Sequence, residues 1–174
     1  LLLLCSGAAG VPQKTVWLTT LEWPPYTSTE LPELGASIVV ARAAFAAMGY
    51  TLEVSFYPWQ RAIYTAKNDK KYSGYFPEYY ADDITAEFIF SEPMGEGPLG
   101  FIEPKEKPVK WKRLSDLQQL RIGTVSGYVN TDEFDLKAGL DELRVEPVID
   151  DVSNIKKLLA RRIDIAVMDK YVFE

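Results

Sequence analysis

The sequence contains no histidine, and this absence narrows the chemistry open to the chain. It excludes Ser-His-Asp and Cys-His nucleophilic sites, histidine-ligated zinc and histidine acid–base catalysis. A single cysteine, Cys5, leaves no partner for a disulfide within the chain. An enzyme built from this sequence would have to rely on carboxylate, lysine or tyrosine chemistry.

The sequence also lacks an excess of positive charge and a long hydrophobic run. With 19 Lys and Arg against 25 Asp and Glu, the net charge of -6 argues against a nucleic-acid-binding role. The apolar run Leu1–Leu4 is far shorter than a membrane-spanning helix. It leads into small residues, which predicts that residues 1–10 are a signal-peptide remnant of an exported protein. A buried strand or a cloning remnant is the alternative, and Leu4 disfavours a lipid anchor on Cys5.

Strand-like and helix-like segments alternate in two series. The first series has strands at 15–19 and 51–56 and helices at 36–48 and 58–66. The second has strands at 120–124, 144–148 and 163–168, a helix reaching 136, and a helix with Val152, Ile155 and Leu159 on one face. Such alternation predicts parallel sheets covered by helices. We find no solenoid repeat and no low-complexity tract.

A Lys-, Glu- and Pro-rich stretch at 103–112 separates the two series. We place a lobe boundary there. The prediction is an α/β protein with two lobes, the first at 14–102 and the second at 103–174.

Seven short motifs occur in an order that points to a known family. They are EWPPYT (22–27), AAFAAMGY (43–50), FYPWQRA (56–62), GYFPEYY (74–80), FSEP (90–93), RIGTVSGY (121–128) and RRIDIAVMD (161–169). By these motifs the chain resembles the bacterial extracellular solute-binding proteins of family 3, the periplasmic components of polar amino-acid ABC transporters.

The resemblance implies a type II periplasmic binding protein-like clamp that closes on a small polar ligand and docks on a membrane permease. It also implies a periplasmic, monomeric protein without a cofactor. In the family the chain crosses back to complete the first lobe, and no such segment follows Asp169 here.

The resemblance also assigns ligand-binding residues. Trp23, Tyr26 and Trp59 match aromatic walls of the family's cleft, and Asp169 matches the acceptor of the ligand's ammonium group. Apart from the resemblance, Tyr128 and Asn130 lie in the predicted strand-to-helix turn of the second lobe, where backbone N–H groups at a helix start are able to bind an anionic ligand group. The alternatives are core aromatics, a helix-capping Asp169 and a plain connecting turn.

One family residue is missing. The arginine that grips the ligand's α-carboxylate is replaced by Ile84, which follows Asp82 and Asp83. Arg61, beside Trp59, is the best substitute cation, unless it forms a surface ion pair or the alignment slips here. We therefore predict a cationic or neutral polar ligand rather than an acidic amino acid, and a site at which Trp23, Trp59, Arg61 and Asp169 converge.

Three functions remain open from the sequence. The first is a transport-associated solute-binding protein, which needs no catalytic group. The second is a sensory input module of the same fold in a membrane-bound signalling protein. The third is an enzyme. The chain would then be either the non-catalytic lobe pair of a cell-wall lytic transglycosylase, or a hydrolase that uses two carboxylates in this cleft, although no carboxylate pair stands out in the sequence.

Overall fold

A computed structural model describes residues 14–174 and places them in two α/β lobes, each built on its own sheet. The predicted signal-peptide remnant at 1–10, with Cys5, lies outside the described residues. Within 14–174 no helix has both the length and the apolar character needed to cross a bilayer.

The first lobe follows the predicted alternation of strand and helix. Its elements are β1 (Lys14–Thr20), α1 (Ala36–Ala47), β2 (Tyr50–Phe56), α2 (Trp59–Asn68) and the short β3 (Gly74–Tyr75). The strands pair in parallel in the order β2-β1-β3. Between α1 and β2 the chain turns at Gly49, whose φ of 79° suits a residue without a side chain. The core lies between α1 and the sheet, where Ile38 is fully buried against Leu52 and Phe76.

The second lobe repeats the alternation after one additional strand. Its elements are β4 (Leu99–Ile102), β5 (Arg121–Val125), α3 (Asp132–Gly139), β6 (Arg144–Val148), α4 (Asp151–Leu159), β7 (Ile165–Asp169) and α5 (Lys170–Phe173). The strand order is β4-β7-β5-β6, with β5 parallel to both β6 and β7. Leu117, Ile122, Phe134 and Ile165 form its buried core.

The strand β4 differs from the sequence-based division of the lobes. We counted Leu99–Ile102 with the first lobe, but this strand pairs antiparallel with β7, so that Leu99 faces Asp169 and Ile102 faces Ala166. Strand-like patterning indicates a strand without indicating its partner, which depends on hydrogen bonds across the fold. By its pairing, β4 belongs to the second sheet.

The helix α4 turns a different face to its sheet from the one we predicted. Val152 and Leu159 are exposed, and the buried residues are Asp151, Asn154 and Leu158. Asn154 packs against the backbone of Gly123 in β5, where a β-carbon would collide with its Oδ1 atom. A glycine on the facing strand therefore admits a polar side chain at a position where an apolar stripe would be expected.

Candidate ligand-binding site

Six aromatic side chains meet between the two sheets, and we call them the aromatic cluster: Trp23, Tyr26, Trp59, Tyr75, Tyr79 and Tyr128. The rings of Trp23 and Tyr26 are stacked, with centroids 4.7 Å apart. Tyr128, from the second lobe, packs edge-on against Trp23 at 6.0 Å and against Trp59 at 5.9 Å. The cluster therefore joins residues of both lobes.

A tight turn after β1 positions the stacked pair. The backbone N–H of Trp23 donates to the carbonyl of Thr27 at 2.6 Å, and Tyr26 donates back to Trp23 at 3.0 Å. The Tyr26 carbonyl accepts from Ser37 at the start of α1. Gly35 passes so close to this carbonyl that a β-carbon would lie 2.5 Å from its oxygen, and its φ of 105° also requires glycine. The turn is thus held against the first helix.

Trp59 connects the first lobe to the turn that follows β5. It is the first residue of α2, after Pro58, and its indole Nε1–H donates to the carbonyl of Gly127 at 2.8 Å. Gly127 has a φ of 78°, and a β-carbon there would collide with Gln60. A glycine at this position therefore allows the two lobes to approach closely.

Asp169 lies at the carboxyl end of β7 with only 2% of its surface exposed. Its side chain caps α5 by accepting from the N–H groups of Tyr171 and Val172 at 2.8 and 3.1 Å. It also accepts from the hydroxyls of Tyr26 and Tyr79, at 3.0 and 2.7 Å. Burial and the bond to Asp169 raise the pKa of both tyrosines. The carboxylate therefore has the capping contacts that we weighed as an alternative, together with contacts across the lobes.

A second buried carboxylate, Asp151, lies at the start of α4. Its Oδ2 atom accepts from the indole N–H of Trp23 at 3.1 Å and from the hydroxyl of Tyr128 at 3.3 Å. Burial raises the pKa of Asp151, and these two hydrogen bonds partly oppose that rise. Asp151 was not among the predicted ligand-binding residues. Its position shortly after a parallel strand was the available signal, since ligands bind beyond such strand ends.

Glu78 adds a third carboxylate beside the aromatic cluster. It accepts from the N–H of Tyr79 at 2.9 Å and from the hydroxyl of Tyr75 at 3.3 Å. Burial raises the pKa of Glu78 to about 7. Glu78 lies within the motif GYFPEYY (74–80), but it was not among the predicted ligand-binding residues.

No basic side chain neutralises these acids within the described part of the chain. None of the eight ion pairs formed among residues 14–174 reaches Asp151, Asp169 or Glu78. No group of acids in that range has an arrangement suited to hold a metal ion. The interface between the lobes therefore combines aromatic rings with uncompensated negative charge.

Arg61 lies at the edge of the aromatic cluster and not beside Asp169, although we expected the two to converge. It is exposed, and its guanidinium lies over the ring of Tyr57 at 5.1 Å. Together with Trp59 it lines a groove of about 470 Å³ that runs between α2 and residues 147–149 of the second lobe. Because Trp59 belongs to the cluster, this groove adjoins it, and Tyr57 beneath Arg61 packs against the same core. Within 14–174, Arg61 forms no ion pair with Asp151, Asp169 or Glu78.

The remaining predicted residues divide between the cluster and a local turn. The structure brings together Trp23, Tyr26, Trp59, Tyr128 and Asp169. Asn130 is taken up by the turn before α3, where its side chain and backbone donate to Asp135 at 2.7 and 2.9 Å.

Comparison with known proteins adds a fold-level match. No protein-family model and no curated protein matches the sequence. An ancestral arginine-binding protein bound to arginine matches 91% of this chain and 71% of its own length, at 19% identity and a TM-score of 0.73. An amino acid ABC transporter substrate-binding protein from Streptococcus pneumoniae, bound to L-arginine, matches 90% and 67%, at 22% identity and a TM-score of 0.70.

The chain has the fold of amino-acid ABC transporter substrate-binding proteins. The resemblance stated from the motifs and the predicted type II two-lobed α/β fold are thereby confirmed at the level of the fold. The GluR0 ligand-binding core from Nostoc punctiforme, in complex with L-glutamate, shares this substrate-binding-protein fold, with 20% identity, a TM-score of 0.66 and coverage of 91% and 71%. These matched proteins bind different ligands, arginine and L-glutamate, so the shared fold does not specify which ligand a protein binds.

Proposed function

We propose that this chain is the solute-capturing part of an ABC importer, which binds a small cationic or neutral polar solute between its lobes. It would act in the periplasm and deliver the solute to a membrane permease. One observation supports this most strongly: the aromatic cluster joins the two lobes and contacts three buried or partly buried acids. Within 14–174 these acids have no ion-pair partner. A solute-binding role requires no catalytic group, and the proposal assigns none.

The lobes have to separate for the solute to enter. Trp23 contacts Asp151, Tyr26 contacts Asp169, and Trp59 contacts Gly127, so first-lobe donors reach second-lobe acceptors at three points. These hydrogen bonds use the same groups that would face a solute. Binding therefore exchanges contacts between the lobes for contacts with the solute, which is the energetic basis of a clamp.

The charge of the site favours a cation over an anion. Rings of Trp and Tyr attract a desolvated cation by about 1 to 2 kcal/mol each. A ligand carboxylate placed beside Asp151 and Asp169 would lack a basic partner, and an unpaired buried charge costs several kcal/mol. The second effect exceeds the first, so acidic amino acids should be excluded.

A sensory input module is the second candidate function. The specific observation in its favour is the match to the GluR0 ligand-binding core. Both functions begin with the same capture of a solute between lobes. They differ in uptake: deleting the gene of an importer component abolishes uptake of the solute, whereas deleting a sensor leaves the transport route in place.

The test is a calorimetric screen of the 174-residue chain against amines, basic, neutral polar and acidic amino acids. We expect saturable binding of at least one cationic or neutral polar solute, weakened by Asp169→Asn. Glu133→Gln, which removes an exposed charge from α3, serves as the matched control and should leave binding unchanged. Selective binding of glutamate or aspartate, or no binding in any class, would contradict the proposal.

A further inference from the structure

We propose that Asp151 is a second charge-recognition residue, and that the preferred solute is a linear diamine with one cationic group at Asp151 and the other at Asp169. This inference rests on the proposed function and narrows it to a ligand class. It concerns dications without a carboxylate, in contrast to monoamines and to basic amino acids.

Each of the two carboxylates accepts a hydrogen bond from a different ring of one stacked pair. The indole N–H of Trp23 reaches Asp151, while the hydroxyl of Tyr26 reaches Asp169. Because the two rings are stacked at 4.7 Å, the acids are linked through a continuous aromatic surface. An extended chain with a cationic group at each end could lie along this surface and reach both acids.

Asp151 has binding capacity left over. Only 8% of the residue's surface is exposed to solvent. Both of its hydrogen bonds reach Oδ2, which leaves Oδ1 without a donor among residues 14–174. Among residues 14–174 the fully buried unpaired side-chain atoms belong to Asn154, so Oδ1 of Asp151 keeps some accessible surface. An ammonium group reaching this oxygen would supply up to three N–H donors together with a positive charge.

Among residues 14–174, no lysine or arginine forms an ion pair with Asp151 or Asp169, so a ligand carboxylate would find no cation already placed beside them. Glu78, beside Tyr75 and Tyr79, is a third carboxyl group and offers no positive charge. Arg61 is exposed and lies over Tyr57, at the edge of the aromatic cluster, and it forms no ion pair with these acids among residues 14–174. A basic amino acid would therefore bring a carboxylate without a partner, whereas the corresponding decarboxylated diamine would not.

Matched pairs of probes separate the two parts of the inference. Butane-1,4-diamine and butylamine differ only in the second amino group. Agmatine and arginine differ only in the carboxylate, as do pentane-1,5-diamine and lysine. Isothermal titration calorimetry on the 174-residue chain gives the dissociation constant for each probe.

We expect the diamine to bind at least about tenfold more tightly than the monoamine, and each decarboxylated probe to bind at least about tenfold more tightly than its amino acid. Asp151→Asn should remove most of the preference for the diamine while leaving monoamine binding within about threefold. Asp150→Asn is the matched control: it removes the neighbouring, exposed charge, and asparagine also caps helices. The preference should persist in this control.

The outcomes separate this inference from the proposed function. Equal affinity for diamine and monoamine, or a preference that Asp151→Asn leaves intact, overturns the role of Asp151 while the capture of a cationic solute stands. Arginine or lysine binding as tightly as its decarboxylated partner overturns the exclusion of carboxylates. Failure of every amine and polar amino acid to bind overturns the proposed function itself.

Discussion

Replacing Gly97 with alanine should disrupt the contacts around Asp169. Gly97 lies in the segment that leads into β4, and a β-carbon built on it would lie 2.5 Å from Asp169 Oδ2 and 2.5 Å from the Tyr79 hydroxyl. The hydroxyl of Tyr26 would be 3.2 Å away. Two of these three atoms are closer than non-bonded contacts allow, so at least one hydrogen bond to Asp169 has to break.

The expected loss of stability follows from those contacts. A hydrogen bond to a charged group contributes about 1.5 to 3 kcal/mol, and overpacking a well-filled site costs about 1 to 3 kcal/mol. Because a shift of the backbone relieves part of the overlap, we expect Gly97→Ala to lower the free energy of unfolding by about 2 to 4 kcal/mol. For a chain of this size that corresponds to a fall in Tm of about 4 to 16 °C.

The control is Gly95→Ala, two residues earlier in the same segment. A β-carbon on Gly95 meets no atom within 4 Å. Both substitutions reduce the flexibility of the unfolded chain equally, so their difference isolates the steric effect. Urea and thermal unfolding of the two variants measure this difference. Unfolding energies that agree within about 0.5 kcal/mol would refute the close approach of Gly97 to Asp169.

Three further predictions concern stability away from that contact. Asn154→Leu should raise the unfolding free energy by about 1 to 3 kcal/mol in urea titrations, because neither polar atom of this fully buried side chain has a partner within 14–174; destabilisation would contradict this. Because burial raises the folded-state pKa of Glu78 from 4.5 to about 7, its protonated form is favoured in the fold. The stability that Glu78 contributes should be present below about pH 4.5 and lost as pH rises through 7. Glu78→Gln should therefore flatten the measured profile of Tm against pH, and an unchanged slope would argue against the raised pKa. Asp164→Asn should lower the unfolding free energy by about 1 to 2 kcal/mol at pH 7, because Arg121 donates hydrogen bonds to this carboxylate and lowers its pKa to about 2. The difference between parent and variant should disappear as pH falls towards about 2, and a variant as stable as the parent at pH 7 would refute this prediction.

Much of the fold was predictable because its signals are local. The β-branched and aromatic run TVWLT predicted β1, and alternation in TLEVSF predicted β2. Pro58 predicted the start of α2 within one residue. The segment 144–148 matches β6. Such patterns arise from side-chain directions and backbone preferences over a few neighbouring residues, so the sequence alone carries them.

The partner of β4 and the buried face of α4 could not be predicted from such local patterns. The pattern of β4 suits a strand in either lobe, and only its pairing with β7 assigns it to the second sheet. The exposure of Val152 and Leu159 depends on Gly123, which accommodates Asn154 from the opposite element. Both features depend on which segments pack together, and that choice involves the whole chain.

The candidate site shows the same division. The sequence by itself determined the absence of histidine chemistry, the two α/β series, and the aromatic residues beside prolines at Trp23, Tyr26 and Trp59. Only the tertiary structure brought Asp151 to Trp23, across 128 positions, and Asp169 to Tyr26, across 143. It also placed Arg61 over Tyr57 at the edge of the cluster. Local patterns extend over a few residues, whereas the charge of this site results from two lobes that meet in space.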